Sequence, residues 1–217
     1  MKYLLFLLYA PFSSWGSPLP GTIRRTDDHP TKSGIMGLLA SSLGIVQEME
    51  PEYTHLSASL GFACREDHPG VEMRDFHTVR VGENPIISER YYLCDAAFTI
   101  CLWQKGDQPS LEKIANALNN PEFMPFLGRK CCIAGLPPIP NIVEAENLFE
   151  AFNLFDALSQ EELSEILGID ITKPRRVFWE GDDASFKIER ELKRSDQPIG
   201  ICKYSSRIEL IGTMGGG

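Results

Sequence analysis

The chain has 217 residues, of which 43% are hydrophobic and 24% are charged. This is the composition of a globular protein with a substantial core, and it excludes collagen-like, coiled-coil and fully disordered chains. The formal net charge of -9 argues against a general nucleic-acid coat protein, which would need a basic surface.

The acidic charge is concentrated in one segment. Residues 141–170 contain eight Asp and Glu side chains and no Lys or Arg, whereas bases outnumber acids between Thr172 and Arg207. The rest of the chain is close to neutral and remains compatible with binding RNA. The acidic segment itself is either a partner surface or a solvated amphipathic helix, and the sequence leaves both interpretations open.

The apolar N-terminal run YLLFLLYA favours a first strand, from about Tyr3 to Tyr9, that is buried on both faces. The alternative is a secretory signal in a secreted protein, although the run stops at Pro11 without a small-residue cleavage pattern. The six cysteines include no C-x-x-C pair, and the four histidines are isolated. We therefore expect reduced thiols in a cytoplasmic protein, without a metal site or another cofactor.

The rest of the chain divides into further strands and helices. A loop rich in Pro and Gly, from Pro11 to Pro30, precedes a first helix that Thr31 or Ser33 can cap, and Ser110 can cap a second one. The polar stretch GENPIISER is predicted to be a short connection, and GTMGGG a flexible end. The predicted helices cover about 34–47, 111–119 and 144–165, and the predicted strands cover about 56–64, 71–81, 91–103, 175–179, 184–189 and 206–211.

The order strand, helix, strand, strand, helix is that of a ferredoxin-like or RNA-recognition-motif-like fold of the α+β class. We assign this domain to residues 1–140. Residues 141–217 then form the acidic helical segment and a smaller, mainly β C-terminal region.

The first candidate site is the start of the first helix, in HPTKSGIMGLLASSLGI. Free backbone N–H groups and the positive end of the helix dipole make such a terminus an anion site, to which Lys32 would add a charge. Gly34 and Gly37 would let a phosphate backbone or another helix approach closely. A capped helix with glycines for tight packing explains the same residues, and no Walker loop is present.

Two further motifs suggest contacts with nucleic acid. In LGRKCC, Gly128 lies beside Arg129 and Lys130, an arrangement that suits phosphate binding, although a solvated turn is the alternative. In RDFHTVR, His77 could act as an acid or base with Asp75 orienting it, but a lone histidine is more often structural. The sequence shows no complete catalytic constellation.

Several blocks together resemble one known family. PFSSWG, HPTKSGIMGLLASSLGI, REDHPG, MRDFHTV, RYYLCDAAFTICLW and FLGRKCC are similar, in this order, to the CasD family, the Cas-five-type subunits of the type I-E CRISPR surveillance complex Cascade. The blocks cover roughly residues 1–138, and the C-terminal third matches only loosely. The resemblance implies a fold of the repeat-associated (RAMP) superfamily, which is RNA-recognition-motif-like.

The resemblance also implies a function and a set of contacts. Such a subunit caps the 5′ handle of the CRISPR RNA, nucleates the row of backbone subunits and contacts the large subunit, so that target DNA is reached only indirectly and no membrane is involved. A thumb-like hairpin near residues 80–90 would bend the RNA, and its segment is shorter than expected for the family. The predicted RNA-binding residues, of which the resemblance implies those in the first helix, the LGRKCC loop and position 90, are Arg24, Arg25, Lys32, Ser33, Gly34, His77, Arg80, Arg90, Gly128, Arg129 and Lys130.

The sequence supports two functions of different classes. The first is a non-catalytic RNA-binding subunit, which accounts for phosphate-type contacts without catalytic residues. The second is an endoribonuclease that processes the repeat RNA, with His77 and Lys130 or Arg129 as candidate catalytic groups. We expect the first.

Overall fold

The structure is a computed structural model that describes residues 1–16, 22–81, 84–159 and 161–215. Parts of four predicted segments lie outside these residues: 17–21 of the Pro- and Gly-rich loop, 82–83 of GENPIISER, residue 160 of the acidic segment and 216–217 of the end. Among the described helices, none has the length and apolar character needed to cross a membrane.

The apolar N-terminal run forms an interior strand of the sheet. Strand β1 (Lys2–Ser13) pairs antiparallel with two other strands, one along each of its edges. Its alternate side chains enter different cores, since Leu4 and Phe6 pack on one face of the sheet while Leu5 and Leu7 pack on the other. The prediction of a strand buried on both faces is therefore confirmed.

Short strands and two helices follow β1. Strand β2 (Trp15–Gly16) pairs with β4 (Thr26–Asp27), and β3 (Ile23–Arg24) lies between them in the chain. Helix α1 (Lys32–Ser42) begins as predicted, because the Thr31 hydroxyl accepts a hydrogen bond from the Gly34 amide at 3.1 Å. Helix α2 (Glu50–Ser59) was not predicted. Its apolar residues are few, and only the Pro near its start signals a helix in the sequence.

The next strands form a hairpin that is longer than predicted. Strand β5 (Leu60–His68) and strand β6 (Val71–Val81) both pair with β7 (Asn84–Gln104), one with each half of it. The prediction of a polar connection at GENPIISER was wrong for residues 84–90, which are strand. We call the outer part of this hairpin, residues 71–94, the thumb hairpin. It is longer than the predicted segment 80–90 because both strands continue past the core.

The C-terminal part of the chain completes the same sheet. Helix α3 (Leu111–Asn119), capped by the Ser110 hydroxyl as predicted, leads to β8 (Asn141–Glu144). Helix α4 (Leu148–Leu158) and a short π-helix (Glu161–Ile166) form the acidic segment. The remaining strands are β9 (Arg175–Trp179), β10 (Ile188–Gly200) and β11 (Lys203–Met214). No strand covers the predicted 184–187.

Within the described residues, nine strands form one sheet, in the order β10-β11-β9-β5-β7-β1-β8, with β3 and β6 attached to β7. Helices α1, α2 and α3 pack on one face of it, and α4 packs on the other. Because β8 pairs with β1 and β9 pairs with β5, the sheet continues across residue 140. The division into regions 1–140 and 141–217 stays a prediction.

A buried ionic network fixes α4 to the sheet. Arg65 on β5 and Arg175 on β9 both donate hydrogen bonds to the Asp156 carboxylate, and both contact Asp67. Arg65 is fully buried. One acid of the acidic segment is thus structural, whereas Glu144, Glu146, Glu150, Glu161, Glu165 and Asp170 are exposed.

Candidate nucleic-acid interface

A groove lies beside helix α1, and its walls come from three distant parts of the chain. It has a volume of about 530 Å³. One wall is formed by small residues of α1, among them Ser33, Gly34 and Gly37, and Gly128 contributes from the LGRKCC loop. The structure therefore brings together two motifs that the sequence predicted separately, because both border the same groove.

Two tyrosines face the small residues of α1 across this groove. Tyr53 comes from α2, and Tyr204 comes from β11. Burial raises the pKa of Tyr53 to about 12 and also raises the pKa of Tyr204 above its ordinary value. Both phenols are therefore protonated near neutral pH, and each can donate a hydrogen bond to a phosphate or a base edge. The sequence analysis did not identify either tyrosine.

The N-terminus of α1 is already occupied by a carboxylate from the protein itself. Asp196 on β10 accepts a hydrogen bond from the Lys32 amide at 2.8 Å, and the Thr31 hydroxyl satisfies the Gly34 amide. Asp196 is in turn held by the Arg207 guanidinium at 2.7 Å. An internal anion thus occupies the place that the sequence assigned to a phosphate.

The Lys32 ammonium points into the protein, whereas the sequence analysis placed it against a phosphate. Lys32 is 1% exposed, and its Nζ donates to Glu180 at 2.8 Å and to the Leu60 carbonyl at 3.1 Å. Lys105 also donates to Glu180, at 2.7 Å. Burial opposes ionisation of Glu180, but the two ammonium groups outweigh this effect and lower its pKa. The motif KSG thus contributes an ion pair to the fold and two small residues, Ser33 and Gly34, to the groove.

The LGRKCC loop is a tight turn that needs its glycine. Gly128 has a φ of +89°, and a Cβ there would lie 1.6 Å from the carbonyl oxygen of Ser14. The turn is closed by the Cys132 amide, which donates to the Arg129 carbonyl, while the Ser14 amide donates to the Leu127 carbonyl. The glycine therefore allows β1 and the loop to approach each other.

Four arginines from three parts of the chain meet near the base of the thumb hairpin; we call Arg24, Arg25, Arg90 and Arg129 the arginine cluster. Arg24 on β3 pairs with Arg90 on β7. Arg129 donates to the Arg24 and Tyr91 carbonyls, both at 3.1 Å, and its guanidinium lies 4.7 Å from the centre of the Tyr92 ring. Arg25 is exposed and lies 5.0 Å from the centre of the Tyr91 ring.

The members of the arginine cluster differ in what they can still bind. Arg129 positions the loop on β7 and β3 through its two hydrogen bonds. Arg90 has a buried Nε that finds no acceptor among the described residues. Arg25 is exposed, as is Lys130 next to Arg129, so these two cations have the freedom to reach phosphates.

The thumb hairpin holds the remaining predicted residues. His77 Nε2 lies 2.5 Å from an Asp75 carboxylate oxygen, a contact that the sequence left open, and both side chains are about 40% exposed. They border a small cavity of about 240 Å³ together with Tyr92 and Cys131. Arg80 is exposed farther out, near the end of β6. The hairpin thus places His77 and Arg80 on a projection that starts at the arginine cluster.

Comparison with known proteins identifies the family. A family model described as CRISPR-associated protein (Cas_Cas5) matches residues 3–208. The chain belongs to this family. This match confirms the resemblance that the sequence blocks indicated, and it extends over the C-terminal third, where those blocks were absent.

Individual Cas5 relatives agree with this assignment. The CRISPR system Cascade subunit CasD of Escherichia coli (strain K12) is 33% identical over 149 residues, which cover 60% of this chain and 66% of that protein. A crystal structure of a Cas protein, 26% identical, superimposes with a TM-score of 0.69 over 99% of this chain and 95% of its own. A chain of a CRISPR RNA-guided surveillance complex, 21% identical, gives a TM-score of 0.68 over 98% of this chain and 89% of its own. These two structures confirm a mixed α/β fold with a large antiparallel sheet.

Sequence reasoning within the Cas5 blocks missed the residues that hold the candidate site in place. Glu180 and Asp196, which engage Lys32, lie about 150 residues away in the chain, in segments without a motif. The two tyrosines of RYYLCDA, beneath Arg25 and Arg129, were a usable signal, because aromatic residues next to a family arginine often support cations.

Proposed function

We propose that this Cas5-family chain is a non-catalytic CRISPR RNA-binding subunit that holds the 5′ handle of the guide RNA and nucleates assembly of Cascade. One observation supports this role above all. The small residues of α1 and the glycine loop border a single groove, and the arginine cluster adjoins that loop. Such a surface offers close approach, hydrogen-bond donors and cations, which are what a folded RNA backbone requires.

We further propose that the core is RNA-recognition-motif-like. Strands β8, β1, β7 and β5 are neighbours in this order and all antiparallel, with α1 and α2 between β1 and β5 and α3 between β7 and β8 in the chain. This is the strand order expected of a ferredoxin-like unit. In this arrangement the thumb hairpin is an extension of the two strands that follow the first helices.

The RNA contacts divide by what each residue can offer. Ser33 and Gly34 would let the handle backbone enter the groove, where the two tyrosines can donate hydrogen bonds. Arg25 and Lys130 would bind phosphates from the exposed side of the arginine cluster, and Arg90 would add positive charge at the base of the thumb hairpin. Gly128 and Arg129 would shape the loop. His77 and Arg80 would contact RNA along the thumb hairpin.

The proposed role also implies partners and a location. The subunit would contact the backbone subunits of Cascade and its large subunit in the cytoplasm, and it would meet target DNA only through the complex. The Escherichia coli relative is a Cascade subunit by name, and this supports the proposal by similarity.

A nuclease activity remains the second candidate because His77 and Asp75 are in contact. A histidine oriented by a carboxylate could activate a 2′-hydroxyl. However, Arg129 is committed to two backbone carbonyls, so it is poorly placed to stabilise a reacting phosphate. We expect the isolated chain to leave repeat RNA uncut, and His77→Ala to leave RNA maturation unchanged. Metal-independent cleavage that His77→Ala abolishes would favour the nuclease.

The binding proposal is tested by removing two exposed cations. Arg25→Ala with Lys130→Ala should reduce the guide RNA recovered with the complex, because phosphate contacts contribute salt-dependent affinity. The RNA affinity of this double variant should also fall less steeply than that of the wild type between about 50 and 200 mM salt. The matched control is Arg190→Ala with Lys193→Ala, which removes the same two residue types from exposed positions on β10. Equal RNA recovery from both double variants at every salt concentration would contradict the proposed surface.

A further inference from the structure

Helix α4 exposes two leucines beside the face that packs on the sheet. Its inner side, which includes Phe152 and Phe155, is buried in the core. Leu154 is 39% exposed and Leu158 is 60% exposed. The two leucines are four residues apart and therefore lie on the same face of the helix. The apolar surface of α4 is therefore wider than the part that the sheet covers, and an apolar helix surface is normally covered.

Acidic residues surround these leucines. Glu150 lies one turn before Leu154, and Glu161 begins the π-helix just after Leu158. Ile166, at the end of that π-helix, is 56% exposed and follows the exposed Glu165. We call Glu150, Leu154, Leu158, Glu161 and Glu165, with Ile166, the α4 face. Between residues 141 and 170 no Lys or Arg is present to neutralise it.

The charge of the α4 face determines which class of partner can cover it. Phosphates of RNA or DNA would be repelled, and so would an anionic lipid surface. A protein surface with an apolar centre and Lys or Arg at its rim would match both features, since exposed apolar patches with a charged border are typical of protein interfaces. The α4 face also lies across the sheet from α1, whose groove is the proposed RNA site.

We propose that the α4 face binds another protein subunit of the same CRISPR complex, one that presents a basic-rimmed apolar surface. This inference rests on the proposed function in its choice of partner, because it assumes that the chain works within such a complex. The chain would then use opposite sides of its sheet for two kinds of partner: the α1 side for RNA and the α4 side for protein.

The test uses two double variants of the full chain, each co-expressed with the protein subunits of its own CRISPR complex and a guide RNA. Leu154→Gln with Leu158→Gln removes the apolar centre, and Glu161→Lys with Glu165→Lys reverses the rim. We expect at least about tenfold weaker association with the partner subunit in both cases. Guide RNA bound by the chain itself should be unchanged, and so should the melting temperature.

The control is Ile199→Gln with Ile208→Gln, which replaces two aliphatic residues that are each 52% exposed on β10 and β11. It should assemble like the wild type. If both α4 variants assemble like the wild type, this inference is wrong, but the proposed function is unaffected. Loss of guide RNA together with the protein partner, or a self-associated dimer that the leucine variant dissociates, would also overturn it. A wild-type chain that joins neither RNA nor CRISPR subunits would refute the proposed function and this inference together.

Discussion

Gly128 in the LGRKCC loop gives the sharpest test of how the candidate site is built. In Gly128→Ala the new methyl group would lie 1.6 Å from the Ser14 carbonyl oxygen, a distance that no side chain can occupy, and φ would have to stay at +89°. The strained φ alone costs about 1–2 kcal/mol for a residue with a Cβ.

The clash adds to this cost because the loop must move away from β1. That movement would break the 3.0 Å hydrogen bond from the Ser14 amide to the Leu127 carbonyl and displace Leu127, which is 1% exposed. A lost hydrogen bond is worth about 1 kcal/mol, and partial exposure of a leucine about another 1–2 kcal/mol. We expect a total of about 3–5 kcal/mol, which lowers the melting temperature by at least about 6 °C in a domain of this size.

The matched variant is Gly37→Ala, in the same groove. Nothing lies within 4 Å of a Cβ at this position, which is inside α1. An alanine in a helix interior is more favourable than a glycine by about 0.5–1 kcal/mol, so the melting temperature should stay level or rise. Its methyl group would nevertheless narrow the groove, and guide RNA recovery should fall. Thermal melting of both variants within about 2 °C of the wild type would refute the close approach at Gly128.

Two further variants test the buried ion pairs. Lys32→Glu would place a second carboxylate beside Glu180, and we expect a loss of about 3–5 kcal/mol of unfolding free energy. The charge swap Lys32→Glu with Glu180→Lys should recover part of this loss. A normal melting curve with reduced RNA binding would instead favour the phosphate contact. Burial lowers the pKa of His29, but hydrogen bonds to Asp28 and Glu209 outweigh it, so the pKa lies above its ordinary value. The charged His29 therefore stabilises the fold fully below about pH 6.5, and this stability is lost as the pH rises through the raised pKa. Wild-type protein should therefore lose stability relative to His29→Gln as the pH rises from about 6 to about 9, and parallel pH profiles of the two proteins would contradict this.

Much of the fold could be predicted because its strands follow local pattern. The run YLLFLLYA is apolar at every position, and only a strand between two others, with a core on each face, buries such a run. Both helix caps, Thr31 and Ser110, could be predicted from the sequence. A hydroxyl just before a helix accepts a hydrogen bond from a free amide of the first turn, whatever the tertiary structure is. Strands β6 and β9 matched their predicted limits for the same local reason.

The elements that failed depend on contacts that are distant in sequence. Residues 84–90 look polar and contain a proline, yet they form strand because β6 supplies their hydrogen-bond partners, even though residues 84–87 are exposed. Helix α2 has little apolar periodicity of its own, and it is stabilised instead by burial of Leu56 and by neighbours from the C-terminal strands, such as the Pro198 carbonyl that accepts from Ser57.

Lys32 shows most clearly where local reasoning about a site stops. A lysine, a hydroxyl and a glycine at a helix start make an anion site only if the amides stay free and the ammonium stays in solvent. Here the Lys32 amide donates to Asp196 and the Lys32 ammonium donates to Glu180. Both features therefore connect the C-terminal part of the chain to α1. The small residues beside them are left facing the groove. The same short motif therefore serves two purposes. The charge of Lys32 stabilises the fold, and the small residues Ser33 and Gly34 leave open the surface where we propose that RNA lies.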